Sequence, residues 1–202
     1  MNIKKIIFIF FIAIGLSGCS GDKGKILDFP VARQAYEYSC GPGCVQHIMT
    51  YYGEDFHESE LIDLLKTDKD EGTYVKDIVR FFHFNGLKTE VKEKMTIGEL
   101  QNYVRREIPV ITLIQAWGSE KDFNNRYRDC WSSGHFVVVI GYTDKYLLIS
   151  DPVLFNVGYI PFSEFMDRWH DTDEGVTKTY QLGIAVWGKK PVFDKEKLER
   201  IK

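Results

Sequence analysis

The sequence predicts an α+β domain in which N-terminal helices pack on a mostly antiparallel β-sheet. Three observations lead there. Helical apolar spacing dominates the first part of the chain, β-branched and aromatic runs bounded by Gly, Pro and Asp dominate the rest, and the two textures do not alternate. A chain of 202 residues, 44% hydrophobic and 14% aromatic, is long enough to bury one core, and no internal repeat divides it.

The chain opens MNIKKIIFIFFIAIGLSGC. Two lysines precede an apolar run from Ile6 to Leu16, which fits a secretory signal and is too short to span a bilayer. Its end, Leu16-Ser17-Gly18-Cys19, resembles the lipobox of bacterial lipoproteins. That resemblance implies a signal peptide over 1–18, lipidation of Cys19, a lipidated tether over 19–25 and a folded domain over 26–202, held at the extracytoplasmic side of a bacterial membrane in the cell envelope. Loss of Lys4 and Lys5 with the signal would leave 24 basic against 29 acidic residues and a formal charge of −5, which argues against a nucleic-acid partner.

The helices come first. Pro42 suits a first turn, Val45, Ile48, Met49 and Tyr52 give the apolar face and Gly53 the stop, so a helix is expected over 42–52 with Cys40 at its N-terminus. Helical stretches follow at 59–65 and 73–85, the second placing His83 on its packed side and Phe81, Phe82 and Phe84 in core or interface. Thr96-Ile97-Gly98-Glu99 spells a capping box for a further helix, which must stop before Pro109.

Strands are expected at 110–117, 135–142, 146–150 and 179–187, with a short helix at 163–169 between the last two. The polar segment 118–129, GSEKDFNNRYRD, leads to His135 and is expected to cover a cleft as a substrate-contacting loop.

Chemistry centres on the cysteines. After Cys19, three remain: Cys40, Cys44 and Cys130. A thiol at a helix N-terminus has its thiolate favoured by unpaired amides and the macrodipole, and Cys40 is placed there. Cys44, one turn deeper, reads as core, with a bond to Cys130 as the alternative outside the cytoplasm. Cys40, Cys44 and His47 make a loose C-x3-C-x2-H spelling without an evident fourth ligand, so neither a metal nor a cofactor is implied.

A cysteine nucleophile needs a base near neutral pH, and five histidines compete. His47 lies in a helix, His57 in a polar turn, His83 among phenylalanines and His170 beside Asp171, a pair expected to fix a loop. His135 alone opens an apolar strand, after Ser132-Ser133-Gly134. If the hairpin turns about Thr143-Asp144-Lys145, Tyr142 faces Tyr146 and Val137 faces Asp151, so His135 and Asp151 lie diagonally on one face. A loop one residue longer or shorter puts them on opposite faces. Asp151 would then orient the ring, and Gln34 with the Cys40 N–H would supply two donors to a developing oxyanion.

Gln34 six residues before Cys40-Gly41-Pro42, then GHFVVVIGY over 134–142 and Asp151-Pro152, together resemble the C39-like cysteine peptidases of the papain-like superfamily. The similarity runs from Val31 to Trp187 and takes in Arg168-Trp169-His170-Asp171. It implies a papain-like fold, Cys40 as nucleophile, His135 as general base and then acid, Asp151 as orienting group, Gln34 as oxyanion donor, and a peptide or protein substrate. Two positions depart from better-known members: Ser39 stands where they carry an acidic residue, and Gly43 where they carry Ala or Ser. The chain has neither the transporter helices nor the phosphate-binding loop of the exporter-linked relatives, so their double-glycine specificity does not carry over. Besides hydrolysis, the same site would suit acyl transfer to an amine or thiol. A binding module blocked by a Cys40–Cys130 bond or by a closed 118–129 loop is the non-enzymatic reading.

Overall fold

The computed structural model describes residues 24–117, 127–198 and 200. The signal segment, Cys19 and all but the last three residues of the 118–129 loop lie outside the described residues.

Five helices and nine strands are described, and the α+β expectation holds. Strand β1 (Lys25–Ile26) is followed by α1 (Cys40–Tyr51), α2 (Glu58–Leu64), α3 (Val75–Phe84), β2 (Lys88–Lys92) and α4 (Ile97–Arg105). Then come β3 (Val110–Gln115), a 3-10 turn (Tyr127–Asp129), β4 (Gly134–Tyr142), β5 (Tyr146–Ser150), β6 (Gly158–Pro161), α5 (Phe162–Arg168), β7 (His170–Asp173), β8 (Thr177–Tyr180) and β9 (Gly183–Trp187). One sheet runs β2-β9-β3-β4-β5-β6, with β1 added on β4 and every pairing antiparallel; β7 and β8 form a separate hairpin. Helices α1 and α4 pack on β4, the central strand, and α3 packs on β2.

Most elements sit where the apolar spacing put them. Thr96 accepts from the Glu99 N–H while Glu99 accepts from the Thr96 N–H, completing the expected capping box. Three expectations change. Lys25, assigned to the tether, is in the sheet opposite Tyr142, and its ammonium donates to the Arg105 carbonyl. The run 179–187 is two strands in different sheets, broken where Gln181 takes φ 48° in the left-handed region. On α3 the buried face is Val75, Ile78, Phe81 and Phe82; at 100° per residue His83 and Phe84 fall outside it, and Phe84 is 90% exposed. His83 instead meets Thr89 Oγ1 at 2.8 Å.

The β4–β5 hairpin is tighter than expected and reaches the expected register another way. Thr143 N–H donates to the Tyr146 carbonyl across a tip of Asp144 and Lys145, so Tyr142 faces Leu147 and not Tyr146. A bulge between Val139 and Gly141 absorbs one residue of β4. Beyond it Val139 faces Ile149 and Val138 faces Ser150, the pairing that a three-residue loop without a bulge would give.

Candidate active site

The site lies where the N-terminus of α1 meets the mouth of β4. Ser39 precedes the helix and makes no side-chain cap, because its hydroxyl lies 2.5 Å from Glu58 Oε1 and 2.7 Å from the Tyr36 carbonyl. Cys40 is therefore the first helical residue. Its amide is among the first-turn N–H groups that have no partner inside the helix. His135 is the second residue of β4 and 3% exposed, and Asp151 follows the last residue of β5.

The Cys40 thiol and the His135 ring line one cavity and lie close enough for each to stabilise the other's charged form. His135 Nε2 lies 2.8 Å from Asp151 Oδ1, which leaves Nδ1 to the sulfur. Asp151 Oδ1 also accepts from the Val153 N–H at 2.9 Å, so the carboxylate is fixed on its own turn.

The electrostatics favour separated charge. Burial pushes the Cys40 thiol up, but the His135 hydrogen bond and charge, with backbone hydrogen bonds from Phe136 and Gly41, outweigh it and leave the thiol below its ordinary value. For His135, burial favours the neutral ring, but Asp151 and Cys40 override it and hold the imidazolium up to about 9. Burial pushes Asp151 up, but its bond to His135, the His135 charge and the Val153 N–H together outweigh it and leave the carboxyl below the usual value.

Gln34 lies on the strap before α1. Its backbone N–H donates 2.6 Å to the Pro152 carbonyl, tying it to the residue after Asp151. Its side-chain amide donates to the Tyr36 carbonyl at 2.6 Å and more loosely to the Glu37 carbonyl at 3.3 Å, while Oε1 is buried without a partner. Both amide hydrogens are thus engaged with the chain's own carbonyls in this structure.

The two departures from the family pattern have local causes. Where an acidic residue is replaced by Ser39, Glu58 of α2 brings a carboxylate to the same place; besides Ser39, it accepts from the Ala35 N–H at 3.0 and 2.9 Å. At Gly43 a side chain would meet Pro152 Cβ at 2.7 Å, so Pro152 fills the space that Ala or Ser would need.

Four neighbours have roles here that were not expected. His47 is buried and bridges Ala32, 2.9 Å from its carbonyl, to Ser150, whose hydroxyl meets Nδ1 at 2.9 Å; burial holds its ring down to about 4, so it is neutral. Gln115 has its amide saturated, donating to the His170 carbonyl and Asp171 Oδ1 and accepting from the Ser133 N–H. Trp117, at φ 56° and 59% exposed, sets its ring 5.2 Å from that of His135. Glu58 is the fourth. Only Gln115, a lone amide ending an apolar strand, left a trace in the sequence.

Cys44 is buried in the core, and burial raises its thiol. Cys40, Cys44 and Cys130 are all free thiols, so neither a Cys44–Cys130 nor a Cys40–Cys130 bond is present. His170 Nε2 contacts the Cys130 carbonyl at 2.7 Å and steadies the approach to β4.

Two cavities flank Cys40. One of about 640 Å³ is lined by Gln34, Tyr36, Trp117 and His135. The other, of about 480 Å³, is lined by Glu37, Trp131, Gly134 and Asp171 and does not include His135. Together they make a cleft across the thiol.

Comparison with known proteins places this fold. The Peptidase_C39 like family matches residues 26–176. A putative C39-like peptidase from Bacillus anthracis superposes with a TM-score of 0.63 at 17% identity, covering 85% of this chain and 100% of that one. A double glycine motif protease from an AMS/PCAT transporter, in complex with its leader peptide, gives a TM-score of 0.51 at 20% identity over 81% of this chain and 92% of that one. The sublancin-168-processing and transport ATP-binding protein SunT of Bacillus subtilis is 28% identical over 123 residues, 59% of this chain. The aligned part spans 15% of the length of SunT.

Proposed function

The chain belongs to the Peptidase_C39 like family, and from that premise we propose that it is a cysteine peptidase cutting a peptide or amide bond through a Cys40 thioester. The observation that carries the reading is the convergence of the Cys40 thiol and the His135 ring on one cavity, with Asp151 2.8 Å behind that ring.

His135 Nδ1 holds the thiol proton, and the thiolate attacks the substrate carbonyl. The oxyanion meets the Cys40 N–H and one hydrogen of the Gln34 amide, released from its 3.3 Å bond to Glu37. His135 then gives its proton to the leaving amine, the thioester forms, and His135 activates the water that hydrolyses it. Asp151 holds the ring and stabilises the imidazolium. A peptide substrate fits the open cleft and agrees with the leader peptide bound by the transporter protease. Cys19 carries a lipid anchor that keeps the domain on the extracytoplasmic face of a bacterial membrane, a reading that rests on Leu16-Ser17-Gly18-Cys19.

Labelling with a thiol-directed probe, followed by profiling on a peptide library, tests the chemistry. Wild type labels at Cys40 and cleaves, whereas Cys40→Ala does neither. Cleavage that survives Cys40→Ala overturns the reading. Incorporation of a fatty-acid analogue into wild type but not into Cys19→Ala tests the anchor.

A further inference from the structure

Resting on that reading, we infer that Asp171 is a specificity-determining residue, whose carboxylate in the cleft beside Cys40 receives a lysine or arginine side chain of the substrate on the acyl side of the cut bond.

The side follows from the chemistry of the base. The general acid must face the leaving amine, and His135 lines the 640 Å³ cavity with Trp117 but not the 480 Å³ cavity that holds Asp171. The acyl half of the peptide therefore lies in the Asp171 cavity. The carboxylate is close to the reacting atoms, because a methyl group at Gly134, the residue before His135, would overlap Asp171 Oδ2.

Asp171 is 6% exposed, and its hydrogen-bond partners are neutral, the Gln115 amide at 2.9 Å and the Thr172 backbone; the adjacent His170 ring gives it only a weaker charge interaction, offset by Asp173. A buried carboxylate is unfavourable without a countercharge, and burial pushes this one above its ordinary value. The cations around it are committed or peripheral. Lys76 pairs with Glu174, Lys178 lies over the Trp131 ring at 4.3 Å, Lys69 stands on the cavity rim, and His170 has Nε2 on the Cys130 carbonyl. Glu37, Glu71 and Asp173 line the same cavity and add to its negative potential. It is the buried carboxylate next to the nucleophile, not the surface acids, that calls for a ligand. A substrate cation supplies the countercharge and an anion is repelled. A purely structural Asp171 would need only an oxygen acceptor for Gln115, which Asn also provides.

The test uses peptide ketone electrophiles that differ only in lysine, norleucine or glutamate at the last or next-to-last residue before the ketone. Wild type is expected to be alkylated about tenfold or more faster by a lysine peptide than by its norleucine twin, and slowest by glutamate. Asp171→Asn is expected to bring lysine and norleucine to parity while the iodoacetamide rate at Cys40 stays unchanged. Equal lysine and norleucine rates in wild type, or a preference that persists in Asp171→Asn, overturn the inference and leave the peptidase reading standing. A Cys40 inert even to iodoacetamide overturns the peptidase reading instead. The same peptides as unreactive amides, titrated against Cys40→Ala with and without Asp171→Asn, then decide the lysine preference by binding alone.

Discussion

His135 and Asp151 stand 2.8 Å apart although 16 residues separate them, and they come from two strands that meet on one face of the sheet. The carboxylate, together with the Cys40 sulfur, favours the protonated ring against burial.

Removing that charge should move the pH profile. In Asp151→Asn the imidazolium loses its strongest support, so the alkaline limb of kcat/KM, expected near 9 in wild type, shifts to lower pH. The rate should fall about 10-fold or more, since the neutral amide can still accept from the ring but no longer stabilises the cation. An unmoved alkaline limb would remove Asp151 from this role.

The thiolate itself is directly observable. Below the lowered Cys40 value the sulfur is protonated and unreactive; above it the thiolate–imidazolium pair forms and persists until His135 loses its proton near 9. Iodoacetamide rates against pH should therefore rise below the range of an ordinary thiol. In a His135→Ala variant the rise should move to higher pH, because only the Phe136 and Gly41 backbone groups then oppose burial.

Gln34 and Glu58 make a paired prediction. Gln34→Ala should lower kcat by about 100-fold, as for a lost oxyanion donor, while iodoacetamide still reacts with Cys40 at the wild-type rate. Glu58→Ala releases Ala35 and Ser39 and should reproduce part of that loss without touching the substrate. A Glu58→Ala protein with full kcat would show that the strap holds Gln34 unaided.

His47 is a prediction about stability. Replacing it by Ala strands the Ala32 and Ser150 groups and opens a cavity, at a cost of about 3 kcal/mol, readable as a lower denaturant midpoint.

Gly134→Ala should fail at the site. The added methyl needs the space of the Asp171 carboxylate, so either that group or the start of β4 moves and His135 moves with it. Activity should drop with little change in far-UV circular dichroism, and Gly134→Ala combined with Asp171→Ala should recover part of it.

How far the sequence could be read follows from the range of each interaction. Apolar spacing and the Thr96 capping box are local, so all five helices start within two residues of expectation and α4 has its cap. Strand β2, Lys-Thr-Glu-Val-Lys on a sheet edge, went unread because one solvated strand against β9 needs little apolar alternation. Short β6, on the opposite edge, was hidden for the same reason, and β7, His-Asp-Thr-Asp, has no apolar residue to mark it. Within the site, Cys40, His135 and Asp151 were readable because each is fixed by its own element's end. Glu58, His47 and Trp117 act through contacts 15 or more residues away, or through one left-handed backbone angle, and neither kind of cause leaves a pattern in the chain.

The short tip at Asp144 and Lys145 and the bulge between Val139 and Gly141 are two shifts of one residue that cancel. Strand faces depend only on parity, so these irregularities are exchangeable as a pair and lethal to the site singly. A redesigned hairpin with one extra tip residue should tolerate, and require, the deletion of one residue at the bulge. Grafting either change alone would turn the imidazole and the carboxylate to opposite sides of the sheet.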